Sequence, residues 1–182
     1  MMNKILMHLN RNKAGNRLLL IALFLMSLSA FGQVRLPRLI SNGMVLQRDT
    51  EVKIWGWADS NIEVTVGFLD SVYRTTANDA GEWAIVLTAM DAGGPYQMQI
   101  HAGNSVTVED ILVGDVFVCS GQSNMELPMR RVSWVYPGEI ANPAGDHIRQ
   151  FYVPREFHFN EPRKDLRTGS WKSAGPENLS LI

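Results

Sequence analysis

The sequence predicts an N-terminal antiparallel β-sandwich over residues 33–110, followed by the beginning of an α/β domain over residues 111–182. Three observations predict it. Short segments with apolar residues at every second position recur about every ten residues as far as Val108. Turn dipeptides and Gly/Pro clusters separate them, with no helical period in between. At Ile111 the pattern changes to an almost continuous apolar run that ends at Cys119, which reads as a strand buried on both faces.

The elements follow in order. Asn42-Gly43, a strong turn dipeptide, leads into Met44-Val45-Leu46. Val52–Trp57 alternates, as do Ile62–Val66 and Val72–Thr76. Asn78-Asp79-Ala80-Gly81 turns the chain into Glu82–Leu87. Ala92-Gly93-Gly94-Pro95 ends that stretch, and Tyr96–Ile100 and Val106–Val108 complete seven strands. Trp55, Trp57 and Trp83 are the expected core aromatics, with an aromatic groove for sugars as the alternative role. Past the apolar run, Glu126–Ala141 is helix-like but interrupted by Pro128 and Pro137, and Ile148–Val153 reads as a further strand.

The N-terminus stands outside this fold. Residues 1–17 carry Lys4, Arg11, Lys13 and Arg17 without an acid, residues 18–28 are apolar, and Ala30-Phe31-Gly32 offers small residues for cleavage before Gln33. This order is that of a signal peptide, so export to the periplasm or the cell exterior is expected. The apolar stretch is shorter than the roughly 20 residues that span a bilayer. No Cys follows it to carry a lipid. Removal of residues 1–32 takes four of the 17 basic residues and none of the 18 acidic ones, leaving 13 against 18 and a formal charge near −5. That balance argues against nucleic acid or an anionic membrane as partner. Cys119 is the single cysteine, so no internal disulfide can form, and its place in the apolar run predicts inert core filler.

The segment with chemical interest is Val116-Phe117-Val118-Cys119-Ser120-Gly121-Gln122-Ser123-Asn124-Met125-Glu126. A strand ending in a small-residue turn would present Ser123 at the C-terminal edge of a sheet, where open α/β folds hold their ligands. Gly121 permits the turn, the Ser123 backbone N–H can face an oxyanion, and Gln122 and Asn124 are polar enough to orient groups around the site. Met125 stands where the G-x-S-x-G nucleophile elbow has its second Gly. From local pattern alone, a nucleophile and a helix-capping serine are equal readings.

Gly121-Gln122-Ser123-Asn124-Met125-Glu126 with Val118-Cys119-Ser120 resembles the first conserved block of sialate O-acetylesterases and related carbohydrate acetylesterases of the SGNH class. Asn42–Arg48, Ile54–Ala58, Gly114–Val118, Ile140–Asn142, Ile148–Pro154 and Ser170-Trp171-Lys172 fall in that family's order. The resemblance implies an SGNH-type, flavodoxin-like hydrolase domain and a serine esterase that removes O-acetyl groups from sugars, sialic acid first among them. It implies Ser123 as nucleophile and one oxyanion donor, with a Gly, an Asn and the His of an Asp-x-x-His block supplied by later segments. Those segments do not occur in the sequence, so a truncated catalytic domain, inactive alone, is expected. The alternatives are a non-catalytic carbohydrate-binding module and an acetyl xylan esterase.

His101, His147 and His158 are expected to be surface or structural, and Asp146-His147 lacks the spacing of a catalytic dyad. Arg130-Arg131 could attract a sugar carboxylate or form a solvated helix face. No metal-ligand spacing and no phosphate loop occur, so no metal and no cofactor are expected. The expected partner is an O-acetylated sugar; the oligomeric state is left open.

Overall fold

The period-two segments of the sequence become strands whose alternate side chains turn inward. The structure, a computed structural model, describes residues 33–141, 147–157, 159–175 and 178. The expected signal peptide, Asp146 and His158 lie outside the described residues. Seven strands occupy the first part: β1 (Val45–Gln47), β2 (Val52–Trp57), β3 (Glu63–Phe68), β4 (Ser71–Thr76), β5 (Glu82–Leu87), β6 (Gly93–Ala102) and β7 (Asn104–Gly114). Two more, β8 (Arg149–Phe151) and β9 (Trp171–Ser173), pair with each other as a small antiparallel ladder.

The larger sheet has five strands in the order β1-β7-β6-β3-β4, and β2 pairs with β5 in a separate two-stranded sheet. Val64, Val66 and Phe68 of β3, Met98, Ile100 and Ala102 of β6, and Trp83, Ile85 and Leu87 of β5 all point into one hydrophobic cluster. Burying each of the larger ones contributes roughly 1.5–3 kcal/mol relative to exposure.

The expected purely antiparallel sheet is corrected at one edge. β1 runs parallel to β7, with Val45 opposite Leu112 and Gln47 opposite Gly114. Parallel neighbours need a long crossover. Here it consists of the five strands between them, which pass through both sheets before the chain returns beside β1.

Three other expectations change. β6 begins within Gly93-Gly94-Pro95 rather than after it, and β7 continues from Val108 through the suggested boundary at 110 and 111. The β6–β7 ladder absorbs irregularities on the way. From Met98↔Val108 to Tyr96↔Ile111, β7 advances three residues against two on β6, which marks a bulge at Glu109-Asp110. Asp110 there adopts φ 56°. Pro128 and Pro137 begin helices rather than interrupt one. Pro128 caps α1 (Met129–Val132), and Pro137 is the first residue of α2 (Pro137–Ala141), a position that needs no backbone N–H.

Of the three tryptophans expected in the core, Trp83 is buried. Trp55 and Trp57 are half-buried, because Ile54 and Gly56 take the fully buried positions of β2. Trp55 still packs against the core cluster, as expected. Arg35 lies over the Trp57 ring, 3.9 Å from its centre.

Candidate active site

The apolar run divides at Gly114. Ile111, Leu112 and Val113 finish β7 in the core, whereas Phe117 and Val118 are 82% and 92% exposed. The expected buried strand at Val116–Cys119 is therefore corrected to an extended, solvent-facing segment, and Cys119 to an exposed thiol. A strand buried on both faces needs neighbours for its backbone groups, and among the described residues none runs beside this segment.

The segment is fastened at its start. Val116 N–H donates to Gln47 Oε1 at 2.8 Å, and Arg48 Nε donates to Asp115 Oδ1 at 2.8 Å. The hydrogen bond from Arg48 to Asp115 and the attraction to its charge raise the Arg48 pKa above its ordinary value. These contacts bind the exit of β7 to the end of β1.

Beyond them, Ser123–Glu126 forms a 3-10 turn with Gln122 as its cap residue, and no side chain makes a capping hydrogen bond. Met125 N–H donates to the Gln122 carbonyl at 2.9 Å, and Leu127 N–H to the Asn124 carbonyl at 3.4 Å. The capping role for Ser123 is thus not the one its hydroxyl takes. The hydroxyl is exposed and has no hydrogen-bond partner among the described residues. Its N–H belongs to the first turn of a helical segment, where backbone donors lack intrahelical acceptors.

Gly121 serves differently from expectation. Its backbone is not in the left-handed region. A Cβ there would sit 2.8 Å from Met125 Cγ, so the missing side chain makes room for Met125 to fold back across the turn. Gln122 and Asn124 flank the serine, both exposed.

No histidine is brought to Ser123 by the described residues. His101 Nδ1 pairs with Ser105 Oγ at 3.0 Å across the β6–β7 turn. His147 lies on the rim of a groove formed by β7, β8 and β9. Arg130 and Arg131 are exposed on α1. Among the described residues no group of three or more His, Cys, Asp and Glu side chains could hold a metal, and no helix is long and apolar enough to cross a membrane.

Comparison with known proteins bears on this arrangement. No protein-family model matches the chain. The human sialate O-acetylesterase is 33% identical over 159 residues, which are 80% of this chain and 30% of that protein. The rat sialate O-acetylesterase is 32% identical over 110 residues, 54% of this chain and 20% of that protein. The crystal structure of a carbohydrate acetylesterase from Xanthomonas citri superposes with a TM-score of 0.78 at 36% identity, covering 82% of this chain and 34% of that one. The chain is similar to sialate O-acetylesterases and to a carbohydrate acetylesterase. It spans about a third or less of the length of these relatives.

One cluster in this sialate O-acetylesterase-like chain escaped sequence reasoning. Asp110 on the β7 bulge pairs with Arg149 of β8 at 3.0 Å, beside Trp171 of β9. The residues are far apart in sequence. The available signal was Glu109-Asp110, two consecutive polar residues in an otherwise alternating strand, which is how a bulge reads in sequence.

Proposed function

We propose that the protein carrying this chain is a serine esterase that removes O-acetyl groups from carbohydrates, with Ser123 as its nucleophile and O-acetylated sialic acid as its substrate. The observation that carries the reading is the likeness to the Xanthomonas citri carbohydrate acetylesterase over 82% of the chain at 36% identity, with sialate O-acetylesterases among the relatives. The uncapped, exposed hydroxyl of Ser123 is consistent with it.

In the reaction, Ser123 Oγ gives its proton to a histidine base and attacks the acetyl carbonyl carbon. The Ser123 N–H, with Gly121, Gln122 and Asn124 lining the site, faces the oxygen on which negative charge develops. The ester C–O bond to the sugar breaks, and the departing sugar oxygen takes the proton from the histidine. Water then attacks the acetyl-serine, releasing acetate and restoring Ser123. The base comes from outside the described residues. No cofactor takes part.

On the same reading, the residues from 33 to the end of β7 at Gly114 form a β-sandwich domain, and those that follow open an SGNH-type hydrolase domain. Residues 1–32 direct export to the periplasm or the cell exterior. The test is acetate release from O-acetylated sialic acid by the whole encoded protein. Ser123→Ala is expected to lower kcat by roughly 10⁴-fold or more while leaving the thermal unfolding midpoint unchanged. Labelling by phenylmethylsulfonyl fluoride should localise to Ser123. Unchanged turnover in Ser123→Ala would refute the assignment.

A further inference from the structure

We propose that the groove over the β7 bulge is a saccharide-binding subsite that holds one neutral pyranose ring non-covalently. Its volume, ≈ 550 Å³, falls within the roughly 300–1,000 Å³ common to small-ligand sites. None of its lining residues belongs to the Gly121–Glu126 segment, so the proposal does not rest on the role of Ser123.

A pyranose has an apolar C–H face and a rim of hydroxyls, each both donor and acceptor. The groove offers a counterpart to each. Trp171, with Leu112 and Pro95, supplies apolar surface, and Asp110, Arg149, Asn42 and His147 supply the polar rim. Trp171 is held in place before any ligand arrives. Its indole N–H donates to the Leu39 carbonyl at 2.8 Å. Its ring meets Phe151 edge-on, with centroids 5.4 Å apart. A wall already immobilised loses little entropy on binding.

The polar rim is equally constrained. The Arg149 side chain is 6% exposed, and its Nη2 donates to Asp110 Oδ1 and Oδ2 at 3.1 and 3.0 Å. One nitrogen shared between two oxygens leaves acceptor capacity on the half-exposed carboxylate for ligand hydroxyls. The pairing also cancels the two charges, which favours a neutral ring over an anionic one. Asn42 Oδ1 accepts the Glu109 N–H at 2.9 Å, and Gly43 N–H donates to the Glu109 carbonyl at 3.0 Å. These bonds hold the bulge from the residue before Asp110. A non-glycine residue at positive φ costs on the order of 1–3 kcal/mol. The strain falls on the residue whose carboxylate lines the groove, and bulges recur beside binding sites for this reason.

The experiment is a titration of the ¹⁵N-labelled full chain with the methyl β-pyranosides of glucose, galactose and xylose, following the Trp171 indole N–H signal. Its absence in Trp171→Phe assigns it. At least one glycoside is expected to shift the signal saturably with a dissociation constant on the order of millimolar. Asp110→Asn should weaken that binding about tenfold or more, and His147→Ala and Ser173→Ala, the second removing a further hydroxyl from the groove lining, should each weaken it measurably. If Asp110→Asn does not fold, the other two variants decide. Absence of a saturable shift with all three glycosides overturns the proposal, as does binding that none of the folded variants alters.

Discussion

At Gly56 the two-stranded sheet leaves no space for a side chain. A Cβ there would sit 2.5 Å from the Arg35 carbonyl oxygen and 2.8 Å from Trp83 Cζ2. Both neighbours are fixed, the first by the Arg35–Trp57 backbone bridge and the second by burial. Gly56→Ala is therefore expected to lower stability by about 1–3 kcal/mol, the usual cost of overpacking, read as a reduced denaturant midpoint. Gly56 was legible only as a small residue in an alternating strand. Its neighbours come from Arg35 and Trp83, and local pattern does not bring those together. Ser123 illustrates the reverse. Its two local readings were equal in the sequence, and the 3-10 turn that holds it forms without a side-chain capping bond, so the role of its hydroxyl is read from the Ser123→Ala variant.

Among the elements, the hairpin from β3 to β4 carries a local conflict. Phe68 pairs with Ser71, leaving Leu69 and Asp70 as a two-residue connection, and Leu69 adopts φ 52°. Two-residue hairpins require positive φ because that twist matches the flanking strands. A leucine there carries roughly 1–2 kcal/mol of strain, against about 0.5–1 kcal/mol of extra chain entropy for a glycine. Leu69→Gly should raise stability by up to about 1 kcal/mol, seen as a higher denaturant midpoint with an unchanged slope. A lower midpoint would show that the half-exposed side chain contributes more than its strain costs. The strands themselves were legible: β2 and β5 occupy the ranges read from alternation. The extension of β7 was not read, since Glu109-Asp110 interrupts the alternation; such a break suits the end of a strand as well as a bulge, and pairing with β6 decides for the bulge.

Across the whole molecule, the residues after Gly114 are tied to the strands before it by a few polar contacts. Arg149 pairs with Asp110, the Trp171 indole N–H reaches the Leu39 carbonyl, Arg38 N–H donates to Asp165 Oδ1 at 2.9 Å, and Lys164 contacts Glu82. Phe117, Trp134 and Tyr136 are exposed between these anchors. Brief chymotrypsin treatment should cut at these three and at the equally exposed Tyr152, Phe157 and Phe159, while the fragments bearing β8 and β9 still co-elute with the β1–β7 fragment. Their dissociation would show that the anchors do not hold.

The same contacts carry a pH dependence. The hydrogen bond from Lys164, and then its charge, lower the Glu82 pKa below its ordinary value. A depressed carboxylate contributes stability above its unfolded pKa and loses it as pH falls through the folded value. The Leu166 N–H donates to Asp165 Oδ1 at 2.8 Å, next to Lys164. Its protection from hydrogen exchange, relative to the intrinsic rate at each pH, should therefore fall on the acid side, below the ordinary carboxylate range. In Lys164→Ala the Glu82 titration should move upward. Because both side chains are substantially exposed, the change in overall stability should be small.

Alternation, turn dipeptides and the Gly121–Glu126 block determined by themselves the order of the strands, most of their boundaries and the likeness to sialate O-acetylesterases. Each of these is a local property, set by which side chains face inward and which residues tolerate a turn. Tertiary structure alone decided the parallel pairing of β1 with β7, the half-buried place of Trp57 beneath Arg35, the exposure of Val116–Cys119 and the meeting of Asp110, Arg149 and Trp171. Those depend on which strand lies beside which. An apolar run states that a segment can be buried; whether it is depends on neighbours distant in the chain.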